Sequence, residues 1–471
     1  MKDSKVLKAG VAYTICSFII KGLSFLTTPI FTRMMSKTEI GQFSVMASWI
    51  SILGVTITLN LSNSVPIAKY DYKDKVDSYL SSIAILGLLT TGLFYLMCLP
   101  FRAKITEFIS IPNYALLVMI AFVMVNPAIE ILYCKLRVQY EYKPVILLTI
   151  LSSSFSVGLS LLLVRILENK LFGRVIGYYL PLLIIDLFVM LYIICKGKCF
   201  SLNQCKYGMA ICIPMVFHSL AGNLMHTSDR IMIQSFCESE SVALYSVAYS
   251  GALLVNIIRN SMESAWDPWV FDMIDKGRRQ EIKKYSYLYI TFFALLCMAI
   301  VAVAPEFLYI MGGDGYVEAM YVVPPVVMAY YCSMIYSLYG GVERFYKKQK
   351  IFPIIAAVCA IANIGLNFIF VPTYGYIAAA YTTLFSCFLE MILHYFYSLK
   401  MGYSNIYNTS FNLLTIVGVL IVCVISVSLY RLIVVRYTII ALGMLIFLIL
   451  LSVYRDKVID YIRTIRNKKV N

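Results

Sequence analysis

A chain of 471 residues that is 61% hydrophobic, 14% charged and of mean hydropathy +0.80 is not a soluble domain. It reads as an all-α integral membrane protein. A formal charge of +15 would suit nucleic acid, but the 40 basic residues punctuate apolar runs instead of forming a patch, so no nucleic-acid partner is expected.

Hydropathy predicts about fourteen transmembrane helices at roughly 20 residues per crossing. They lie near 10–33, 42–63, 79–99, 114–134, 144–165, 175–195, 208–234, 242–265, 285–305, 319–342, 352–371, 376–398, 411–430 and 437–454. Lys2, Lys5 and Lys8 precede the first run, and no small-residue cleavage site follows, so that span is read as uncleaved. The longest connection is predicted at Trp266–Tyr285. With the N-terminus in the cytoplasm, 28 Lys and Arg fall on that side and 9 on the other. This bias predicts that both termini are cytoplasmic. The 13 cysteines are scattered through apolar runs as free thiols, and Cys195, Cys199 and Cys205 lack zinc-site spacing.

An internal repeat is visible. Gly41-Gln-Phe-Ser-Val45 and Ala243-Leu-Tyr-Ser-Val247 open spans two and eight at an offset of 202, and the same offset carries Gly173 onto Gly375. The expected organisation is a six-helix half over 1–200, a second over 201–400, and an extra helix pair with a basic tail over 401–471. Six helices per half make the repeats parallel, with a central cavity between them.

Polar residues form stripes in corresponding spans. In span one, Ser17, Lys21, Ser24, Thr28 and Thr32 share a helical face. Adding 202 gives Ser219, Asn223, His226, Arg230 and Gln234 in span seven. Thr56, Asn60 and Asn63 sit at i, i+4, i+7 in span two, and Asn256, Arg259, Asn260 and Glu263 share one face of span eight. Lys21, Arg230 and Arg259 would make a cationic lumen fit for phosphate or pyrophosphate, with Asn256, Asn260, Asn60, Asn63 and His226 beside them. The alternative for span eight is an Arg259–Glu263 pair that locks one helix against its neighbour. Asp229 beside Arg230 reads equally as a buried ion pair or a functional acid. Glu130 and Asp186 are isolated acids, and with Glu263 and Asp229 they are candidates for proton or sodium coupling. Glu390 and His394 suggest a hydrogen bond within span twelve, and Arg344 with Glu343 a solvated helix end. No catalytic or metal-binding constellation and no cofactor is indicated.

Several segments carry a family resemblance: Lys21-Gly-Leu-Ser-Phe-Leu-Thr-Thr-Pro-Ile-Phe-Thr-Arg33, Glu39-Ile-Gly-Gln-Phe-Ser44, Asp229-Arg230 leading to Ala243-Leu-Tyr-Ser246, and the aromatic-proline exit Ala265-Trp-Asp-Pro-Trp269. They resemble the Wzx-type polysaccharide flippases of the multidrug/oligosaccharidyl-lipid/polysaccharide superfamily. The resemblance implies a non-enzymatic flippase in a bacterial inner membrane. Its substrate would be an undecaprenyl-pyrophosphate-linked oligosaccharide, such as an O-antigen repeat unit of lipopolysaccharide biosynthesis, moved from the cytoplasmic to the periplasmic leaflet. A polysaccharide polymerase and a chain-length regulator would be partners. It also implies that Lys21 and Arg259 line the cavity and that helices 411–454 form a groove for the lipid tail. The alternatives are a multidrug extruder of the same superfamily, or an integral-membrane polymerase or glycosyltransferase, which would need carboxylates on a sizeable outer loop.

Overall fold

The structure, a computed structural model, describes residues 22, 23, 25–439 and 441, and the side chains of all these except Asp74, His218, His226, Gln349 and Ser404. In chain order its helices are α1 (25–34), α2 (Lys37–Thr56), α3 (Val65–Tyr72), α4 (Val76–Cys98), α5 (Arg102–Ile109), α6 (Asn113–Val125), α7 (Pro127–Val138), α8 (Tyr142–Ile166) and α9 (Lys170–Gly197). There follow α10 (Leu202–Phe236), α11 (Ser239–Asp275), α12 (Arg279–Ala302), α13 (Ala304–Gly312), α14 (Asp314–Val317), α15 (Val323–Phe345), α16 (Phe352–Tyr374), α17 (Tyr376–Lys400) and α18 (Thr409–Leu429). Among the described residues, 11 stretches are long and apolar enough to cross a membrane, or 12 if the bent α2–α3 pair is one span. These match the second to thirteenth predicted spans. The last predicted span, 437–454, and most of the first lie outside the described residues, so the expected fourteen stand against eleven or twelve described.

Two predicted boundaries are corrected. Span two was expected to run unbroken over 42–63, with Thr56, Asn60 and Asn63 on one stripe. Instead α2 ends at Thr56, Leu59 and Asn60 take left-handed φ values of 55° and 47°, and the chain bends by 43° into α3. Asparagine tolerates that conformation because its short side chain bonds locally, here as acceptor from Ser62 Oγ at 3.4 Å. The second correction concerns Trp266–Tyr285, expected as the longest loop. There α11 continues through Pro268 to Asp275, and only three residues separate it from α12. At 37 residues α11 is about 55 Å long, well beyond the ~30 Å hydrocarbon layer, so its aromatic-proline segment packs as helix. Trp266 lies against Tyr289 of α12 at 4.4 Å and against Trp269 at 5.0 Å.

The start of α2 shows how sequence sets an element. Ser36 Oγ accepts from the Glu39 amide, and Glu39 Oε2 accepts from the Ser36 amide at 2.8 Å, a reciprocal capping box. The other Glu39 oxygen accepts from the Leu171 amide at 3.2 Å, tying α2 to the first turn of α9. Gly41 lets α2 approach α11, because a β-carbon there would fall 1.8 Å from the Ser239 carbonyl oxygen. At this end of the bundle the chain before residue 200 meets the chain after it repeatedly. Thr32 Oγ1 donates to the Met311 carbonyl at 2.5 Å and Arg33 to the Ile310 carbonyl at 3.0 Å. Lys37 pairs with Glu318 at 3.4 Å, and Thr38 donates to Glu240 at 3.4 Å.

The core is densest around α15. In the span that contains it, 89% of an 18-residue window is buried, against 22% for the spans of α8 and α18, which present apolar faces outward. Helix α15 packs against α11, α12, α17 and α18. Buried tyrosines knit this region, including Tyr330 OH donating to Tyr249 OH at 3.0 Å and Tyr430 OH to the Val301 carbonyl at 2.8 Å.

Candidate functional site

The polar face predicted in span eight is realised on α11. Arg259 donates to Asn256 Oδ1 from Nε at 3.1 Å, to Asn260 Oδ1 from Nη2 at 2.8 Å, and to Glu263 Oε2 from Nη1 at 3.3 Å. Helical spacing alone brings these four together. Glu263 is shared. Its other oxygen accepts from Arg344 Nη2 of α15 at 3.1 Å, and the same nitrogen donates to Asp267 Oδ2 at 2.5 Å. The result is an alternating chain, Arg259–Glu263–Arg344–Asp267, with no net charge. It combines the local pair with the lock against a neighbouring helix. The Arg259 side chain keeps 16% exposure and that of Glu263 23%, so neither is sealed. Glu263 has two arginine partners, one on each of its oxygens.

Arg344 and Asp267 extend the site beyond the four residues whose spacing predicts it. Asp267 extends the register of Glu263 by one turn, a spacing visible in the sequence but inside the segment predicted as a connection. Arg344 was expected to be solvated beside Glu343. Instead Glu343 is fully buried, receiving Ser398 Oγ at 3.0 Å and meeting His394 Nδ1 at 2.8 Å. His394 therefore bonds across to α15, and the hydrogen bond expected with Glu390 on its own helix is not formed.

A second polar node surrounds Asp229 of α10, which is fully buried. It accepts from Tyr245 OH of α11 at 2.6 Å, Asn367 Nδ2 of α16 at 2.7 Å and Thr383 Oγ1 of α17 at 2.7 Å. Ser228 Oγ and Asn367 Nδ2 both donate to Asn363 Oδ1, and Thr382 Oγ1 donates to Asn367 Oδ1. Four helices thus converge on one carboxylate. Its nearest partners are neutral, so the ion-pair reading with Arg230 is replaced by a cage of hydroxyls and amides. Arg230 turns instead to α11, donating from Nε to Ser246 Oγ at 3.1 Å, with its guanidinium 4.9 Å from the Tyr249 ring centre. Ten residues of α11 separate Tyr249 from Arg259, so the two arginines act at levels about 15 Å apart.

Of the remaining predicted residues, Asn60, Asn63, Glu130 and Asp186 fall in the first half of the chain. A cavity of about 270 Å³ with a mixed wall has Asn60, Ser62, Asn126 and Glu130 among apolar neighbours such as Val55 and Phe122, with Asn223 reaching in from α10. Asn60 Nδ2 donates to Ser219 Oγ at 3.3 Å, and Asn223 Nδ2 to the Ser51 carbonyl at 3.3 Å. Asp186 is buried behind this cavity and accepts from Asn126 Nδ2 at 3.2 Å. Asn63 lies in the turn after Asn60, half-buried. Arg230 and Arg259 do not line this cavity. Lys21 lies outside the described residues, and so does the side chain of His226. A separate apolar cavity of about 350 Å³ lies between α15, α17 and α18, with Tyr339, Phe388, Tyr395 and Leu413 in its wall. Among the described residues no cluster of His, Cys, Asp and Glu could hold a metal ion.

The helical bundle has the fold seen in solved transporters of the MOP superfamily. A solved structure of the lipid II flippase MurJ, inward closed, superposes with a TM-score of 0.74 at 16% identity, covering 95% of this chain and 100% of that one. An inward-facing multidrug resistance MATE family transporter of the MOP superfamily gives 0.66 at 14% identity, covering 84% of this chain and 98% of that one. The chain belongs to the family described as polysaccharide biosynthesis protein, whose model matches residues 6–274. A second model, MatE, matches residues 214–369. The protein named "Probable low-salt glycan biosynthesis flippase Agl15" of Haloferax volcanii is 22% identical over 437 residues, covering 88% of this chain and 89% of that protein. The resemblance to polysaccharide flippases of this superfamily, read from the sequence, holds, and the relatives named are flippases and transporters.

Proposed function

We propose that the protein is a flippase for a lipid-linked oligosaccharide, carried on undecaprenyl pyrophosphate and moved from the cytoplasmic to the periplasmic leaflet of a bacterial inner membrane. The observation that carries this reading is Arg259, a membrane-embedded guanidinium whose carboxylate partner can be handed to Arg344. Pyrophosphate is a bidentate acceptor matched to that fork. Lys21 and Arg230 are the further bases of the proposed path, with Asn256, Asn260, Asn60, Asn63 and His226 for sugar hydroxyls. The apolar cavity beside α18 suits the polyprenyl tail, which would never leave lipid.

Transport requires two states. In this reading 1–200 and 201–400 rock as parallel halves, 401–471 carries the extra helix pair, and the end interlocked through Arg33, Lys37, Thr38, Glu240 and Glu318 is the periplasmic gate. Both termini then lie in the cytoplasm, in keeping with the 28-to-9 bias in basic residues. Substrate binding alone cannot drive net flux, because a ligand shifts an equilibrium only by its differential affinity for the two states. A proton or sodium ion is the proposed driver, and caged Asp229 is the first candidate for its site, ahead of Glu130, Asp186 and Glu263.

The MatE match favours one second reading, a drug extruder. A deletion strain separates the two. Loss of surface polysaccharide with accumulation of lipid-linked unit on the cytoplasmic face supports the flippase. Unchanged polysaccharide with raised drug sensitivity supports the extruder. A unit that crosses but stays unpolymerised points to a polymerase or ligase instead.

A further inference from the structure

Lined by none of the site residues above, a cavity of about 610 Å³ is enclosed by the ends of α3, α7 and α9 and the start of α4. Four lysines, Lys69, Lys73, Lys135 and Lys196, line it against two acids, Asp77 and Glu141. Asp77 is already divided between Lys135 at 2.5 Å and Lys196 at 3.6 Å. Lys69 Nζ donates to the Val138 carbonyl at 2.8 Å, where a cation suits the end of α7. The Lys73 ammonium makes no hydrogen bond to a described residue. Its backbone, at φ 28° and ψ −92°, is in a conformation rare for any residue with a β-carbon. The cavity thus holds a surplus of positive charge, and a strained backbone carries its unengaged cation. Lys135 adds to this because its side chain is only 11% exposed and poorly screened.

The mouth of the cavity distinguishes a lipid from a dissolved anion. Lys196 Nζ donates to Tyr192 OH at 3.1 Å at the rim. From there the same face of α9 continues at four-residue intervals through Phe188 and Ile184, all exposed, at 49%, 67% and 47% for Tyr192, Phe188 and Ile184. A charged pocket at the end of a bundle, opening onto an apolar track along a spanning helix, matches a headgroup and its acyl chain. We propose that this cavity binds the phosphate of an anionic phospholipid from the adjoining leaflet, with a chain lying along Phe188 and Ile184.

The test uses the purified full-length protein and native mass spectrometry after exposure to vesicles of dioleoylphosphatidylglycerol or dioleoylphosphatidylcholine. Each lysine near a membrane surface contributes about fivefold to the attraction of an anionic lipid. The wild type is expected to retain phosphatidylglycerol over phosphatidylcholine. Lys73→Gln should cut that preference about fivefold, and Lys73→Gln with Lys196→Gln should largely abolish it. Lys206→Gln, on α10 outside the cavity, should leave it intact. Inorganic phosphate should not displace the lipid. Equal retention of the two lipids, an unchanged preference in both cavity variants, or equal loss in Lys206→Gln would overturn the proposal. Displacement by inorganic phosphate would overturn the lipid in favour of a free-anion site.

Discussion

An arginine inside an apolar helix needs partners, and Arg259 is held by three side chains of its own helix. Its proposed role differs from that of Arg344. Replacing Arg259 with Ala leaves Glu263 paired to α15, so the melting temperature should shift by only a few degrees while transport falls by about 30-fold or more, as expected for one lost charge-assisted contact to a phosphate. Arg259→Lys should also lose most activity, since an ammonium on a flexible stem cannot reproduce the planar fork. Arg344→Ala leaves both Glu263 and Asp267 without their interhelical partner, and should destabilise by about 2 kcal/mol. Thermal unfolding of the three variants in detergent checks the order, and an Arg259→Ala protein less stable than Arg344→Ala would refute it. Asp229 separates charge from architecture in the same way. Asp229→Ala strands three buried donors and should cost about 3 kcal/mol or more. Asp229→Asn keeps the shape, so it should fold yet lose the dependence of transport on sodium or pH. Retention of that dependence would remove Asp229 as the coupling site.

At the scale of elements, the close approach of α2 and α11 is the feature most exposed to experiment. A β-carbon at Gly41 would collide with the Ser239 carbonyl, so Gly41→Ala must pry the helix ends apart. Lowered thermal stability is the expected result, and a wild-type melting curve would contradict the packing. Lys37 and Glu318 meet across the same end, so cysteines there, in a background without exposed thiols, should be joined by a short bismaleimide. The clamp should stop transport, and undiminished flipping by cross-linked protein would show that this end does not open. The helices themselves were largely legible, because crossing a bilayer imposes an apolar length that no tertiary contact overrides. What escaped was decided by contact. The break at Leu59–Asn60 depends on left-handed residues that hydropathy does not register. The extension of α11 past Trp266 and Pro268 depends on stacking against α12. For the site, spacing along one helix found Asn256, Arg259, Asn260 and Glu263. The partners Arg344, Asn367 and Thr383 come from helices far along the chain, and no local pattern announces them. Glu343 with His394 failed for the same reason, since a one-turn spacing to Glu390 was the only pairing the sequence displayed.

For the whole molecule, the claims are an orientation and a path. The bias of basic residues predicts that reporter fusions at residue 276 and at the C-terminus are active only when the reporter functions in the cytoplasm, and that a fusion at residue 168 behaves oppositely. The reverse pattern would invert the proposed gate. The central claim is most directly tested in proteoliposomes that carry a fluorescent undecaprenyl-pyrophosphate oligosaccharide in both leaflets, with a membrane-impermeant quencher added outside. Wild-type protein should bring nearly all the lipid within reach of the quencher. Over the time the wild type needs for full access, Arg259→Ala should leave close to half protected, near the level of empty vesicles. Full access in the Arg259→Ala protein, or protection in the wild type under every ion gradient, would contradict the account.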